Sequence, residues 1–152
     1  ALKKCWADFP QARIFQIGIV PQALEFKKLN FYYSHQDAPH FQVASFNPAH
    51  VLKHYSNQNI KDLLKLNVVT KTLTKFCAEI CGEEDEIELM ALDIEGLDAE
   101  IILDTDFSKL NVRYLSFEYI HLGEQSDSVL SHVRSLGYDF QGRGVDHNGF
   151  DY

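Results

Sequence analysis

The stretch LMALDIEGLDAEIIL, residues 89–103, joins an apolar strand to an amphipathic helix through a short acidic turn. The apolar run ends at Asp93, and Gly96 provides the turn. A second apolar run, Val112 to Phe117, ends in the same way at Glu118. In open α/β sheets, ligands bind in the crevice beyond the carboxyl ends of parallel strands. The two runs therefore predict an α/β fold in which Asp93 and Glu118 point toward one crevice.

Three motifs in this region resemble the FkbM-type S-adenosylmethionine-dependent methyltransferases. They are the strand end Leu92-Asp93-Ile94-Glu95-Gly96, the acidic helix start Asp98-Ala99-Glu100 and the second strand end Ser116-Phe117-Glu118. The preceding segment, with Val68-Val69-Thr70, Thr72-Leu73 and Phe76, is similar to the one that precedes the Asp strand in that family. The resemblance covers the C-terminal part of the family domain.

The resemblance implies a class I, Rossmann-like methyltransferase sheet, mostly parallel, with helices on both faces and the strand order 3-2-1-4-5-7-6. By this resemblance, the run Ala12 to Val20 is the third strand of that sheet. The sequence contains no counterpart of the first two strands and no Gly-rich D-x-G-x-x-x-G cofactor loop. It therefore looks like a single, N-terminally incomplete domain over residues 1–152. Unpaired strand edges would otherwise be left open. We therefore expect either that the third strand pairs directly with the fourth in a rearranged sheet, or that a second copy of the chain or a preceding segment completes the sheet.

The activity that the resemblance implies is methyl transfer from S-adenosylmethionine to a hydroxyl of a small molecule or sugar. A base near the acceptor hydroxyl raises the nucleophilicity of its oxygen, and Asp93 or His121 is suited to that role. Glu95 and Glu118 complete the predicted catalytic set. For the cofactor, the resemblance points to Ile17 and Gly18, which correspond to the loop near the adenine.

Each predicted catalytic residue also has a structural interpretation. Asp93 and Glu95 are each suited to cap the following helix, because acidic groups are stabilised near a helix N-terminus. Glu118 is placed to reach water from the end of its strand, and a lone histidine after a strand, such as His121, is often a surface residue.

Two other functions remain open at this stage. One is a truncated, non-catalytic relative that binds a ligand or a partner chain through the same crevice. The other is an α/β metal-dependent hydrolase that uses the same acids. A divalent ion held by Asp93, Glu95, Glu118 and His121 is a minor option, which the family resemblance does not imply. Zinc is not assigned to Cys77 and Cys81, because they lack the second close-spaced pair that a zinc site needs. The two cysteines are predicted to lie on a buried helix face.

The composition is that of a folded domain rather than a disordered segment, with 45% hydrophobic and 12% aromatic residues. Its formal net charge of -8 disfavours nucleic acid and anionic membranes as partners. No apolar run reaches transmembrane length. Three cysteines cannot all pair, which fits a reducing compartment. We therefore expect a soluble, cytoplasmic protein, and the resemblance adds the expectation of a small-molecule or sugar acceptor.

Local patterns predict the remaining elements. Asn47 is suited to be a helix N-cap, with Pro48 at the first helical position. Glycine at positions 82 and 137 is expected to end two helices. The predicted strands are Lys28–Ser34, Leu64–Thr70 and a hairpin-like pair within Gln141–Tyr152, and the predicted helices are Leu2–Phe9, Pro48–Tyr55, Thr72–Cys81 and Asp127–Leu136.

Overall fold

The computed structural model of the chain describes residues 9, 11–25, 28–36, 43–55, 57–82, 85–94, 96–145 and 147–151. The chain divides into two compact units, Ala1–Gly18 with Lys27–Val69 and Ile19–Phe26 with Thr70–Tyr152. The single domain expected over residues 1–152 stays a prediction. The predicted helix Leu2–Phe9 lies outside the described residues except for Phe9. Within the described ranges, no helix is long and apolar enough to cross a membrane.

The first unit contains an antiparallel strand pair. Strand β2 (Lys28–Tyr33) runs against strand β3 (Leu64–Lys71). Their register runs from Lys28 opposite Val69 to Tyr33 opposite Leu64. Both strands were predicted from their β-branched and aromatic residues, and both are confirmed to within one residue at each end.

Helix α1 (Pro48–Lys53) begins where the sequence predicts it. The side chain of Asn47 accepts a hydrogen bond from the Ala49 amide at 3.0 Å, which satisfies one of the free donors at the helix start. Pro48 takes the first helical position, where its missing N–H costs nothing. The helix ends at Lys53, shorter than the predicted end at Tyr55.

The predicted strand Ala12–Val20 is wrong in extent, because only Gly18–Ile19 of these residues form a strand, β1. β1 lies beside β3 in a sheet of order β1-β3-β2. Next to it, the Val20 amide donates to the Lys71 carbonyl at 3.0 Å. Residues 13–16 are exposed instead. An extended segment becomes a strand only where a neighbour pairs with its backbone groups, and the composition of the segment does not reveal where that neighbour ends.

The second unit contains a four-stranded sheet of order β4-β5-β7-β6. Its strands are β4 (Ile87–Leu92), β5 (Val112–Glu118), β6 (Asp139–Arg143) and β7 (His147–Asp151). β4 and β5 are parallel, whereas β7 is antiparallel to both β5 and β6. The predicted hairpin near the end of the chain is confirmed, with its first strand starting at Asp139.

The α/β fold is confirmed, but the mostly parallel sheet is not, because parallel and antiparallel pairs occur together in the described residues. The connections explain the mixture. A parallel pair needs a long crossover, and helix α3 (Asp98–Asp104) lies in the crossover between β4 and β5. An antiparallel pair needs only a short turn, as between Arg143 and His147.

Two further α-helices belong to the second unit, α2 (Leu73–Ile80) and α4 (Ser126–Ser135). The Thr72 side chain caps α2 by accepting a hydrogen bond from the Lys75 amide at 3.4 Å. Shortly after α4, Gly137 adopts a positive φ of 98°, which glycine reaches without steric cost. Both helices are confirmed close to their predicted ends, and short 3-10 helices lie at Phe107–Lys109 and Ile120–Gln125.

The core of the second unit lies against one face of the four-stranded sheet. Phe117 of β5 is fully buried, and its ring stacks on that of Phe150 of β7, with the ring centroids 5.3 Å apart and an interplanar angle of 7°. Leu89, on the alternate face of β4, is 62% exposed. The core thus holds β4 and β5 side by side, and it also includes the buried residues Met90, Leu92, Ile101, Ile102, Leu115, Val129 and Val133.

We expect Phe117→Ala to lower the free energy of unfolding by about 3 to 5 kcal/mol, because it leaves a cavity beside Phe150. The matched control is Val145→Ala at a side chain that is 93% exposed, for which we expect a change within about 0.5 kcal/mol. Urea denaturation followed by circular dichroism measures both. Equal effects of the two variants would contradict the assignment of the core.

Candidate functional site

Two of the predicted site residues end adjacent parallel strands. β4 and β5 are in register, with Leu92 opposite Phe117. Asp93 follows Leu92, and Glu118 follows Phe117 as the last residue of β5. Because neighbouring strands lie about 4.8 Å apart, the two acids leave the sheet side by side. We call this part of the sheet the carboxylate edge, defined by Asp93 and Glu118.

The two acids at the carboxylate edge differ in their contact with solvent. Asp93 is exposed, whereas Glu118 is only 9% exposed. Phe117, directly before Glu118, belongs to the core and is fully buried. Asp93 is therefore open to a ligand that approaches from solvent, while Glu118 is held within the protein.

A third acid, Asp98, belongs to this group, and sequence reasoning did not include it among the site residues. It is the first residue of helix α3 and is 1% exposed. Both of its carboxylate oxygens lie 3.3 Å from the backbone nitrogen of Ile94 and accept its N–H. Its burial could have been predicted from the sequence, because Ile101 and Ile102 follow it by three and four residues. Residues with this spacing share a helix face, so Asp98 lies on the apolar face of α3.

The charges at the carboxylate edge influence one another. The pKa of Asp98 is raised to about 6, mainly by burial and to a smaller extent by the charges of Glu118 and Asp93. The hydrogen bond from the Ile94 amide acts in the opposite direction, because it stabilises the charged form. The three carboxylates thus form one electrostatic group around the ends of β4 and β5.

The turn between β4 and α3 depends on glycine, as the sequence predicted. Gly96 has a φ of 92°, a conformation that side-chain-bearing residues rarely adopt. The hydrogen bond from Ile94 to Asp98 spans the same turn. Together they hold the chain as it leaves β4, which positions Asp93 directly before the turn.

The remaining predicted site residues are described less fully. Glu95 lies outside the described residues. His121 falls within the 3-10 helix Ile120–Gln125, where only its backbone is described. Gly18 is buried in β1, and Ile17 directly before it is partly buried. Their roles, like those of Asp93 and Glu118, stay predictions.

Among the described residues, no group of three or more His, Cys, Asp or Glu side chains is placed to hold a metal ion. Glu95 and the side chain of His121 are not described, so a metal at the predicted acids stays an alternative. Cys77 lies in the core and is 5% exposed, as predicted for a buried helix face. Burial, and to a smaller extent the neighbouring Cys81, raises the pKa of the Cys77 thiol to about 11. This thiol is therefore protonated and unreactive at neutral pH.

The raised pKa of Asp98 predicts a pH dependence of stability. Its ordinary value is 3.8 and its value in the folded chain is about 6. Between these values the native state binds more protons than the unfolded state. The contribution of Asp98 is therefore fully present below about pH 4 and is lost as the pH rises through about 6.

The variant Asp98→Asn removes this titration and keeps an acceptor for the Ile94 amide. Between about pH 4 and pH 7, the wild type loses the contribution of Asp98 and the variant does not. We therefore expect the variant to gain roughly 2 to 3 kcal/mol in the free energy of unfolding relative to the wild type over this range. Denaturant titrations at several pH values measure it. The control is Glu100→Gln, at an exposed acid of the same helix, whose stability relative to the wild type should not change with pH. The prediction is refuted if the stability of Asp98→Asn relative to the wild type is equally independent of pH.

Comparison with known proteins identifies one family. A model of the methyltransferase FkbM domain matches residues 11–140. No curated protein and no solved structure matches the chain. The matched range contains both acids of the carboxylate edge, together with Asp98 and Gly96. The chain therefore belongs to the family of FkbM methyltransferase domains.

Proposed function

We propose that the protein transfers a methyl group from S-adenosylmethionine to a hydroxyl oxygen of a small molecule or sugar. Membership of the family supports methyl transfer in general. The observation that carries the proposal is the exposed Asp93 beside Glu118 at the ends of two parallel strands. Ligands bind at such strand ends in open α/β sheets. The free thiols of Cys77 and Cys81 support a cytoplasmic location.

The arrangement of the sheet also supports the proposal. The order β4-β5-β7-β6, with β7 antiparallel to its neighbours, corresponds to the 4-5-7-6 half of the order that the family resemblance implies. In that correspondence, β4 and β5 are the strands whose ends carry the diagnostic acids. The carboxylate edge is then the part of the sheet that faces the reacting groups.

The chemistry of the carboxylate edge fits a positively charged methyl donor. When bound, S-adenosylmethionine supplies a methyl group on a cationic sulfur. Carboxylates attract such a charge, and Glu118 and Asp98 are held in place by their burial. We propose that these two side chains favour the donor, with no metal required.

Asp93 is proposed to act on the acceptor. The acceptor oxygen forms its bond to the methyl carbon as the bond between carbon and sulfur breaks, and the hydroxyl proton must leave. A carboxylate within hydrogen-bonding distance of the hydroxyl takes that proton. Asp93 is exposed and directly precedes Ile94, whose amide is hydrogen-bonded to Asp98, so it is suited to meet the acceptor in a defined position.

A second candidate function is ligand binding without turnover. It uses the same exposed Asp93 and buried Glu118 as binding residues and differs from the first candidate in predicting no turnover. In this case the carboxylate edge binds a ligand or a partner chain, and the substitution of Asp93 changes no reaction rate.

We expect Asp93→Asn to reduce the rate of methyl transfer about 100-fold or more, because the amide cannot accept the hydroxyl proton. Since Asp93 is exposed, we expect the free energy of unfolding to change by less than about 0.5 kcal/mol. The assay follows transfer of a labelled methyl group from S-adenosylmethionine to a panel of sugars and small alcohols.

Asp139→Asn is the matched control. Asp139 is an exposed aspartate at the start of β6, so it lies at the opposite ends of the strands from the carboxylate edge. It should leave the rate unchanged. An Asp93→Asn rate near that of the wild type would remove Asp93 from catalysis. Absence of transfer by the wild-type protein to any member of the panel would favour the second candidate function.

A further inference from the structure

Two free thiols lie one helical turn apart at the end of helix α2. Cys77 belongs to the helix, and Cys81 directly follows it. The Cys81 amide donates a hydrogen bond to the Cys77 carbonyl at 2.8 Å, so the last helical turn extends to Cys81. Residues four apart on a helix are neighbours on one face. The two thiols therefore lie on the same side of α2.

Both cysteines line one cavity, which lies at the amino ends of β4 and β5. Its volume is about 420 Å³. Ile87, the first residue of β4, and Asn111, directly before β5, also line it. The carboxylate edge is at the carboxyl ends of the same two strands. The cavity is thus separate from the site proposed for methyl transfer.

The spacing of the two thiols suits a bound metal ion better than a disulfide. Helix neighbours four apart have Cβ atoms about 5–6 Å apart. A disulfide needs about 3.5–4.5 Å between the Cβ atoms, so the helical backbone would have to move. A metal ion bonded to two sulfurs at about 2.3 Å each separates them by up to about 4.6 Å. Side-chain rotation alone reaches that separation.

The number of ligands selects the kind of metal. A structural zinc site takes four ligands, and no group of three or more His, Cys, Asp or Glu side chains is placed to hold an ion in the described ranges. Two sulfurs are enough for Cu(I), a soft ion that prefers thiolates. Asp85 also lines the cavity, but its carboxylate is a hard ligand and accepts the Gly82 amide at 2.6 Å.

Burial governs how an ion enters and which ion is strong enough to bind. Cys81 is partly exposed, whereas Cys77 is 5% exposed, so an ion reaches Cys81 first. The pKa of Cys77 is raised to about 11, mainly by burial. A metal must displace this proton, which weakens the complex. Only an ion that bonds strongly to sulfur offsets that cost, which again favours Cu(I).

We propose that Cys77 and Cys81 bind one Cu(I) ion between their sulfur atoms, at a site independent of methyl transfer. Each sulfur gives up its proton to solvent and donates an electron pair to the ion. The copper stays in the Cu(I) state, so no oxidant or reductant is consumed. The same pair discriminates against Zn(II), which needs two further ligands.

The test is an anaerobic competition for Cu(I) between the folded chain and bathocuproine disulfonate, whose coloured Cu(I) complex is followed by its absorbance. The parent protein carries Cys5→Ser, so that Cys77 and Cys81 are its only thiols. We expect it to take one Cu(I) ion per chain from the chelator. X-ray absorption spectroscopy of the complex should show two sulfur ligands, and Zn(II) should bind about 100-fold more weakly or not at all.

Two variants of the parent test the pair and its spacing. Cys81→Ser removes one sulfur at a partly exposed position. We expect the affinity for Cu(I) to fall about 100-fold or more, because the loss of a ligand costs at least as much as the loss of an outer-shell partner. The matched control adds Ala78→Cys to Cys81→Ser. It restores the number of thiols at an exposed position, but adjacent helix residues do not face each other, so the affinity should stay low.

The inference is overturned if the chelator keeps all the Cu(I) in the presence of the parent protein, or if the bound copper lacks two sulfur ligands. It is also overturned if Cys81→Ser leaves the affinity unchanged, if the displaced thiol restores it, or if Zn(II) binds as tightly as Cu(I). The stoichiometry and the ligand count of the parent protein decide the matter even if a variant fails to fold.

Discussion

The parallel pairing of β4 with β5 is the constraint on which the rest of the second unit depends. It is held by the apolar face of the sheet, where Phe117 and Leu115 are fully buried and Phe117 stacks on Phe150. The hydrophobic burial of these side chains fixes the register in which Leu92 lies opposite Phe117. A slip by one residue would turn Phe117 out of the core and separate Asp93 from Glu118. The same contacts that stabilise the fold therefore place the two acids together.

Bringing carboxylates together opposes this stabilisation, and the local structure offsets part of the cost. Asp98 is buried near two other acids, and its raised pKa reports the unfavourable energy of its charged form. The Ile94 amide and the start of helix α3 both act in its favour, because a donated hydrogen bond and a helix N-terminus stabilise negative charge. Sites that keep such an arrangement in spite of its cost are often functional. The proposed function gives these acids a use, because a cationic methyl donor is attracted by carboxylates.

Much of the fold was predictable where the signals are local. The strand, turn and helix around Gly96 follow from an apolar run, a residue that tolerates positive φ and a helical period. Helix α1 follows from Asn47 and Pro48 in the same way. The family was predictable too, because its motifs are short and contiguous. The strand Ala12–Val20 was predicted too long, since the extent of β1 depends on where β3 pairs with it. Asp98 was missed for a related reason, because its burial beside Glu118 depends on how strands distant in sequence pair.

The central claim is that the carboxylate edge binds the cationic methyl donor, and calorimetric titration with S-adenosylmethionine tests it most directly. Circular dichroism first establishes that the wild type and Glu118→Gln are both folded. The account predicts saturable binding by the wild type and a loss of affinity in Glu118→Gln of about tenfold or more, because a held carboxylate is removed from the edge. A folded wild-type chain that shows no saturable binding, or a variant that binds as tightly as the wild type, would contradict it.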